Sequence, residues 1–168
     1  VTTERLLLRP MALEDAEWLA PALSDEKNMR YWSRAPLEGI ESVREYLRYN
    51  IDPQAAVCFA FARQSTPDEA LGWVILMDRK PNVAEIGYML RPDAQGNGYA
   101  REACEAAIAH GFSSRALRRI YADADPDNIP SIKLMKSLGF QYEGCHRAQW
   151  ETHIGVRDSV IYARLNTD

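Results

Sequence analysis

Apolar and polar positions change rhythm several times along this chain. Arg5-Leu6-Leu7-Leu8-Arg9 is a short apolar run closed by Pro10, and it reads as a first strand. From Glu14 to Leu23 the period lengthens to that of a helix, with Ala16, Leu19, Ala20 and Leu23 on one side. Asp25–Trp32 fits either a short helix or a loop. Ile40, Val43 and Leu47 again have helical spacing, which predicts a helix over Glu38–Tyr49. Ala56–Arg63 and Leu71–Met77 are dense in β-formers and are separated by the turn-like run Gln64–Glu69. Asp78–Asn82 predicts a second turn, and a strand follows from Val83 to about Leu90. These three runs are expected to form an antiparallel meander.

After Pro92 a polar, glycine-containing loop leads into a helix predicted from about Gly98 to Phe112. Its apolar side is Ala100, Ala103, Cys104, Ala107, Ile108 and Phe112. Arg119–Ala124 reads as the next strand and Asn128–Leu138 as the next helix, which Gly139 would cap. Two strands are expected at the end, near Gln141–Glu151 and Asp158–Leu165. The order β-α-α-β-β-β-α-β-α-β-β describes an α/β (α+β) fold, a mixed sheet with helices on both faces. No repeat, low-complexity tract or linker interrupts it, so residues 1–168 are expected to form one domain.

Composition narrows the function classes. A chain of 168 residues buries about two-thirds of its unfolded surface, so no disulfide or metal is needed to hold it. Twenty basic and twenty-four acidic residues leave a charge of −4, which argues against a nucleic-acid partner. Arg115, Arg118 and Arg119 cluster, but as the solvated end of a helix. Cys58, Cys104 and Cys145 are far apart with no C-x-x-C pair, and His110, His146 and His153 lack metal-ligand spacing. A reduced, cytoplasmic setting without a metal is therefore expected. No apolar run approaches the roughly 20 residues of a membrane span, and the N-terminus has no signal-peptide core, although it begins with Val1 rather than Met.

Candidate chemistry lies in Gln95-Gly96-Asn97-Gly98-Tyr99-Ala100. The two glycines permit positive φ and close approach of backbone to a ligand, and the amides opening the following helix favour an anion such as a pyrophosphate. The same glycines also suit a plain turn into a helix. No Gly-Lys-Ser/Thr follows, so this is not a Walker A loop, and the second G-x-x-G interval of a dinucleotide fingerprint is missing.

Gln95-x-x-Gly98-x-Ala100 resembles the Q/R-x-x-G-x-G/A loop of the GNAT superfamily of N-acetyltransferases. Ala84–Leu90 resembles the strand before that loop in the Rim-type branch, the ribosomal-protein N-terminal acetyltransferases. Asn128-Ile129-Pro130-Ser131, Lys136–Phe140 and the opening Thr3–Pro10 are similar to the same branch. The resemblance covers nearly the whole chain with order and spacing kept. It implies a mostly antiparallel sheet of about seven strands that splays at a bulge to admit acetyl-coenzyme A, the co-substrate. Backbone groups of Met89, Leu90 and Arg91 would line pantetheine, and the Met89 or Leu90 amide would face the thioester oxygen. Gln95, Gly96, Asn97, Gly98, Tyr99, Ala100 and Arg101 would hold the pyrophosphate.

By the same resemblance Asn128 binds the pantetheine arm, although it also suits a helix cap. Ser131 matches the serine that protonates the leaving thiolate, although it equally fits a first-turn serine bonding backbone. Many superfamily members use a tyrosine seven residues after the asparagine, where this chain has Met135. For the base, Glu85 is favoured because it lies mid-strand on the side of Gly87 and Met89, with Asp123 or a water as alternatives. Trp32, Arg34, Tyr46, Trp73, Tyr88 and Trp150 are candidates to line an acceptor pocket or to pack the core. The expected acceptor is a protein or peptide N-terminal α-amine, the alternatives being a small amine or a non-catalytic coenzyme A-binding module. Monomer and homodimer both stay open.

Overall fold

The computed structural model describes residues 1–51 and 56–168. Strands β1 (Leu6–Pro10), β2 (Ala56–Arg63), β3 (Ala70–Lys80), β4 (Val83–Leu90), β5 (Arg119–Ala124), β6 (Gln141–Thr152) and β7 (Gly155–Leu165) make one sheet. Their spatial order is β1-β2-β3-β4-β5-β7-β6, and every adjacent pair is antiparallel except β4 and β5. The helices are α1 (Ala16–Ser24), α2 (Glu26–Met29), α3 (Gly39–Ile51), α4 (Tyr99–Ser114) and α5 (Ile129–Ser137). The expected mixed, mostly antiparallel seven-stranded sheet is therefore present.

The central strands are apolar on both sides because each side of the sheet carries its own core. Val74 and Leu76 of β3 join Ala103, Cys104, Ala107 and Ile108 of α4 and Met135 of α5. Trp73, from the same strand, turns the other way and packs with Leu19 and Leu23 of α1 and Val43 and Leu47 of α3. Trp32 and Tyr46 meet the edge and face of Trp73 at 6.1 Å, so these three aromatics form part of that second core.

Two boundaries differ from the pattern-based reading. The polar run Asp78-Arg79-Lys80 continues β3, Asp78 pairing with Ala84 and Lys80 with Val83, so the turn is only Pro81-Asn82. Asn82 supplies its left-handed residue (φ 59°), a conformation asparagine tolerates. Polarity misled because the hairpin end is solvated on both sides while its backbone ladder persists. Likewise β7 starts at Gly155 and not at Asp158, inside a hairpin that reaches beyond the core.

The feature that positions the site is a failure of pairing. β5 matches β4 only from Val83↔Arg119 to Glu85↔Tyr121, yet it pairs with β7 along its whole length, from Arg119↔Leu165 to Ala124↔Val160. Residues 86–90 of β4 are thus left without a neighbour on that side. A bulge in β4 was expected at this point, but its ladder with β3 runs unbroken from Gly72↔Leu90 to Asp78↔Ala84. The opening comes instead from β5 following β7 away.

Gly72 permits β3 and β4 to lie this close: a Cβ there would stand 2.2 Å from the Met89 carbonyl oxygen and 2.6 Å from Phe61 Cζ. Gly72→Ala is expected to destabilise the fold by about 2–3 kcal/mol, a cost typical of overpacking. Urea denaturation checks this, as a lower midpoint at unchanged slope.

Candidate active site

Along an extended strand the backbone amides point alternately to the two neighbours. Arg91 N–H donates to Leu71 O at 2.8 Å, toward β3. Alternation then sends the Met89 amide to β3 as well, and the Leu90 and Tyr88 amides into the unpaired gap. Of Met89, Leu90 and Arg91, only Leu90 therefore offers its N–H to the opening. The Met89 side chain is buried in the α1–α3 core, and the Arg91 guanidinium is engaged with Asp93 at 2.6 and 3.0 Å.

Asn28 braces this edge. Its Nδ2 donates to Ala22 O (2.9 Å) and Leu90 O (3.3 Å), while its Oδ1 accepts from Gln95 Nε2 at 2.8 Å. One side chain from α2 thus holds both the end of β4 and the start of the glycine loop. Sequence reading left this segment ambiguous and did not single out Asn28. An Asp25 cap, accepting from Asn28 N–H at 2.6 Å, was the available signal for a helical turn there.

Gly96 and Gly98 both adopt left-handed backbone, with φ of 80° and 78°. The first bond inside α4 is Glu102 N–H to Gly98 O, so the amides of Tyr99, Ala100 and Arg101 have no helical acceptor. Gly98, the cap residue, has no side chain to satisfy them. Asn97 turns its own Nδ2 inward onto the Ala94 and Gln95 carbonyls, both at 3.1 Å. The loop is clamped from below by Arg5, whose Nη1 donates to Asn97 O (2.9 Å) and whose Nε donates to Glu102 (2.7 Å). Arg5 and Arg63 also lie over the Tyr99 ring, at 4.9 and 5.6 Å. What remains is a rigid, exposed row of unpaired donors at the positive end of a 16-residue helix, a fit for a pyrophosphate.

Across the gap, α5 is capped by Asn128, whose Oδ1 accepts from Ser131 N–H at 3.3 Å. The capping role weighed for Asn128 is thus present. Ser131 does not use its hydroxyl on backbone; its Oγ lies 2.6 Å from the Tyr88 hydroxyl. Tyr88 therefore faces the α4/α5 side, which removes it from the acceptor-pocket candidates. Met135 is buried in the core and offers no hydroxyl.

The two candidate bases sit at different depths. Glu85 lies at the closed end, where β4 and β5 still pair; it accepts from Arg79 (2.9 Å) and from the Tyr121 hydroxyl (3.1 Å). Asp123 lies two residues further along β5, beyond the last pairing with β4. It accepts from the wholly buried Ser159 hydroxyl and from Trp150 Nε1 at 3.1 Å. Trp150 is about half exposed, so it belongs to this rim and not to the core. Trp73 is core, and Arg34 lies over the Tyr46 ring at 5.1 Å. Gly87, between Glu85 and Met89, leaves the β4 wall without a side chain at the level of Asp123.

An open strand edge, an uncapped helix with two left-handed glycines, and a hydroxyl and a carboxylate on the facing wall are the kinds of group that acyl transfer from a thioester on a pyrophosphate-bearing arm requires. Residues 5–141 match the model of the acetyltransferase (GNAT) domain. The chain belongs to this family and is an N-acetyltransferase that uses acetyl-coenzyme A. It is 37% identical to the uncharacterized N-acetyltransferase p20 of Bacillus licheniformis, over 99% of this chain and 96% of that protein. It is 28% identical to the spermidine N(1)-acetyltransferase of Escherichia coli K12, over 82% of this chain and 73% of that one. Against the ribosomal-protein-serine acetyltransferase of the same organism the figure is 33%, over 58% of this chain and 56% of the relative. Among solved structures, a GNAT-family acetyltransferase from Bacillus anthracis superposes with a TM-score of 0.90 at 26% identity, covering 100% of this chain and 99% of that one.

Two substitutions probe the donor half. Gly98→Val places a β-branched residue at φ 78°, and calorimetry is expected to show coenzyme A binding weakened by about a hundredfold or more. Asn28→Ala is expected to weaken it about tenfold by freeing Gln95 and the Leu90 carbonyl, with the melting temperature little changed.

Proposed function

We propose that the protein transfers the acetyl group of acetyl-coenzyme A to the α-amine of a protein or peptide N-terminus, in the manner of the Rim-type branch. The observation that carries this reading is the charge state of the acceptor side of the gap. Asp123 faces it with two neutral donors and, among the described residues, no cation within ion-pair distance. Neighbouring carboxylates are held in ion pairs. Glu85 is paired with Arg79, and Arg157 binds Asp125 at 2.7 Å and Asp127 at 2.5 Å. Burial opposes ionisation of Asp125, but Arg157 and the Asp127 amide outweigh it and hold the carboxyl below its ordinary range. One free carboxylate suits one ammonium; a polyamine, with several, would leave its others unmatched.

Acidity points the same way. An α-amine with pKa of about 8 is roughly a tenth neutral at pH 7, whereas a lysine amine is neutral at under about a thousandth. The α-amine therefore needs far less help from a base than a lysine amine does.

In this reading the cofactor's pyrophosphate lies on the amides of Tyr99, Ala100 and Arg101, near Gly96 and Gly98, and Asn128 contacts the pantetheine arm. Leu90 N–H faces the thioester oxygen and stabilises the charge that develops on it. Asp123, directly or through a water, removes a proton from the acceptor nitrogen as that nitrogen bonds to the acetyl carbon. The carbon–sulfur bond breaks, and Ser131 donates a proton to sulfur. From the free amine the balance is even: nitrogen loses one proton, sulfur gains one, and solvent restores the serine. Glu85, fixed between Arg79 and Tyr121, then holds the closed end of the gap and does not act on the amine.

Acetyl-coenzyme A with a panel of N-terminal peptides, lysine-bearing peptides with blocked N-termini, and spermidine tests the acceptor by thiol release. Turnover confined to free N-termini is expected; preference for spermidine would overturn the reading. Asp123→Asn is expected to lower kcat about a hundredfold while sparing coenzyme A affinity, and Glu85→Gln to lower it severalfold at most. The reverse order would return the base to Glu85.

A further inference from the structure

Tyr88 is the one residue of β4 beyond Glu85 whose side chain, among the described residues, hydrogen-bonds to the β5–α5 unit. Its hydroxyl lies 2.6 Å from Ser131 Oγ and 3.4 Å from Ser131 O. From this geometry we propose that Tyr88 is a positioning residue for Ser131: the phenol donates to Oγ and leaves the serine proton directed at the cofactor sulfur. The proposal rests on the assignment of Ser131 as the group that meets sulfur.

The distance alone allows either hydroxyl to donate; three considerations support donation by the phenol. A phenol is the stronger acid of the two hydroxyls, with a pKa of about 10, and so the better donor. Ser131 is immobile at its backbone, because Asn128 Oδ1 caps its amide at 3.3 Å, so Oγ has only its rotamer and its proton left to set. Tyr88 is also kept in the donating form. Burial, the largest cause, pushes its phenol well above the ordinary range. Cys104 of α4 is also fully buried and held protonated, its thiol likewise pushed up by burial. No ionised group therefore competes for the Tyr88 proton from α4.

A serine that accepts from Tyr88 and donates to the gap differs from a free serine in two ways. Its proton points in one direction before the cofactor arrives, which removes the rotational cost at the moment of transfer. The donated bond also supports negative charge on Oγ as its proton leaves. Tyr88 does this without touching sulfur, acceptor or acetyl group.

The test reads the sulfur directly and needs no acceptor. Coenzyme A is bound to the protein and its thiol titrated by the ultraviolet absorbance of the thiolate, in the wild type, Tyr88→Phe, Ser131→Ala and the double variant. Calorimetry of coenzyme A binding verifies that each variant is folded and loaded. A correctly aimed donor stabilises the thiolate, so Ser131→Ala is expected to raise the bound thiol pKa by about one unit. Tyr88→Phe is expected to raise it by about half a unit or more, and the double variant no further than Ser131→Ala alone. If Ser131→Ala moves the thiol and Tyr88→Phe does not, the positioning role is overturned and the serine assignment stands. Additive effects would show that Tyr88 acts on the sulfur independently, which also overturns the proposal. An unmoved thiol in Ser131→Ala removes the serine from the sulfur, and the role of Tyr88 with it. A role confined to holding β4 and α5 together would change coenzyme A affinity and leave the thiol pKa alone.

Discussion

A strand has two edges, and β5 commits the whole of one to β7 while giving β4 only the stretch from Arg119 to Tyr121 on the other. Every part of the site descends from that division. β5 stays paired with the longer β7 to its end and leaves β4 after Tyr121. The opened segment of β4 is thereby left with backbone donors and acceptors facing no strand. Such groups are costly when unsatisfied, and proteins seldom leave a run of them inside a sheet. Here the unmet hydrogen-bonding capacity is what a linear, amide-bearing ligand arm can use.

Around that gap the chain uses rigidity in place of specialised side chains. The row of free main-chain amides is fixed by two left-handed glycines, and Arg5 and Asn28 hold its two flanks. The hydroxyl and the carboxylate lie on the opposite wall, Asp123 near the end of β5 and Ser131 in the first turn of α5. Each has a buried or capped partner that fixes its orientation: Ser159 for the carboxylate, Asn128 and Tyr88 for the hydroxyl. Preorganised donors of this kind need no rearrangement when charge develops, which is why they matter more than their number suggests.

Much of the fold was legible because its signals are local. The β2–β3–β4 meander, α4, β5 and α5 carry clear periodicity, and Gly139 ends α5 with φ 80° as a helix-terminating glycine does. The glycine loop and the Asn128-x-x-Ser131 spacing were readable for the same reason. What local pattern could not convey is which partner satisfies each group. Nothing in the sequence says that Arg79 reaches Glu85, that Trp150 reaches Asp123 from 27 residues away, or that Tyr88 turns toward Ser131 rather than the acceptor side. A carboxylate in mid-strand looks the same in sequence whether it meets an arginine or open space. The origin of the splay was hidden likewise, because register between β5 and β7 depends on residues some 40 positions apart.

Asn28 joins parts of the chain that are otherwise separate. It stands on α2 and grips both the Leu90 carbonyl at the end of β4 and the Gln95 side-chain amide at the start of the glycine loop. Any ligand that displaced α2 would release the end of β4 and the start of the loop together, and any ligand that ordered the loop would restrain α2 in return. Thermodynamic linkage makes any such coupling equal in both directions. Through this single asparagine, the position of α2 and the order of the glycine loop are tied to each other.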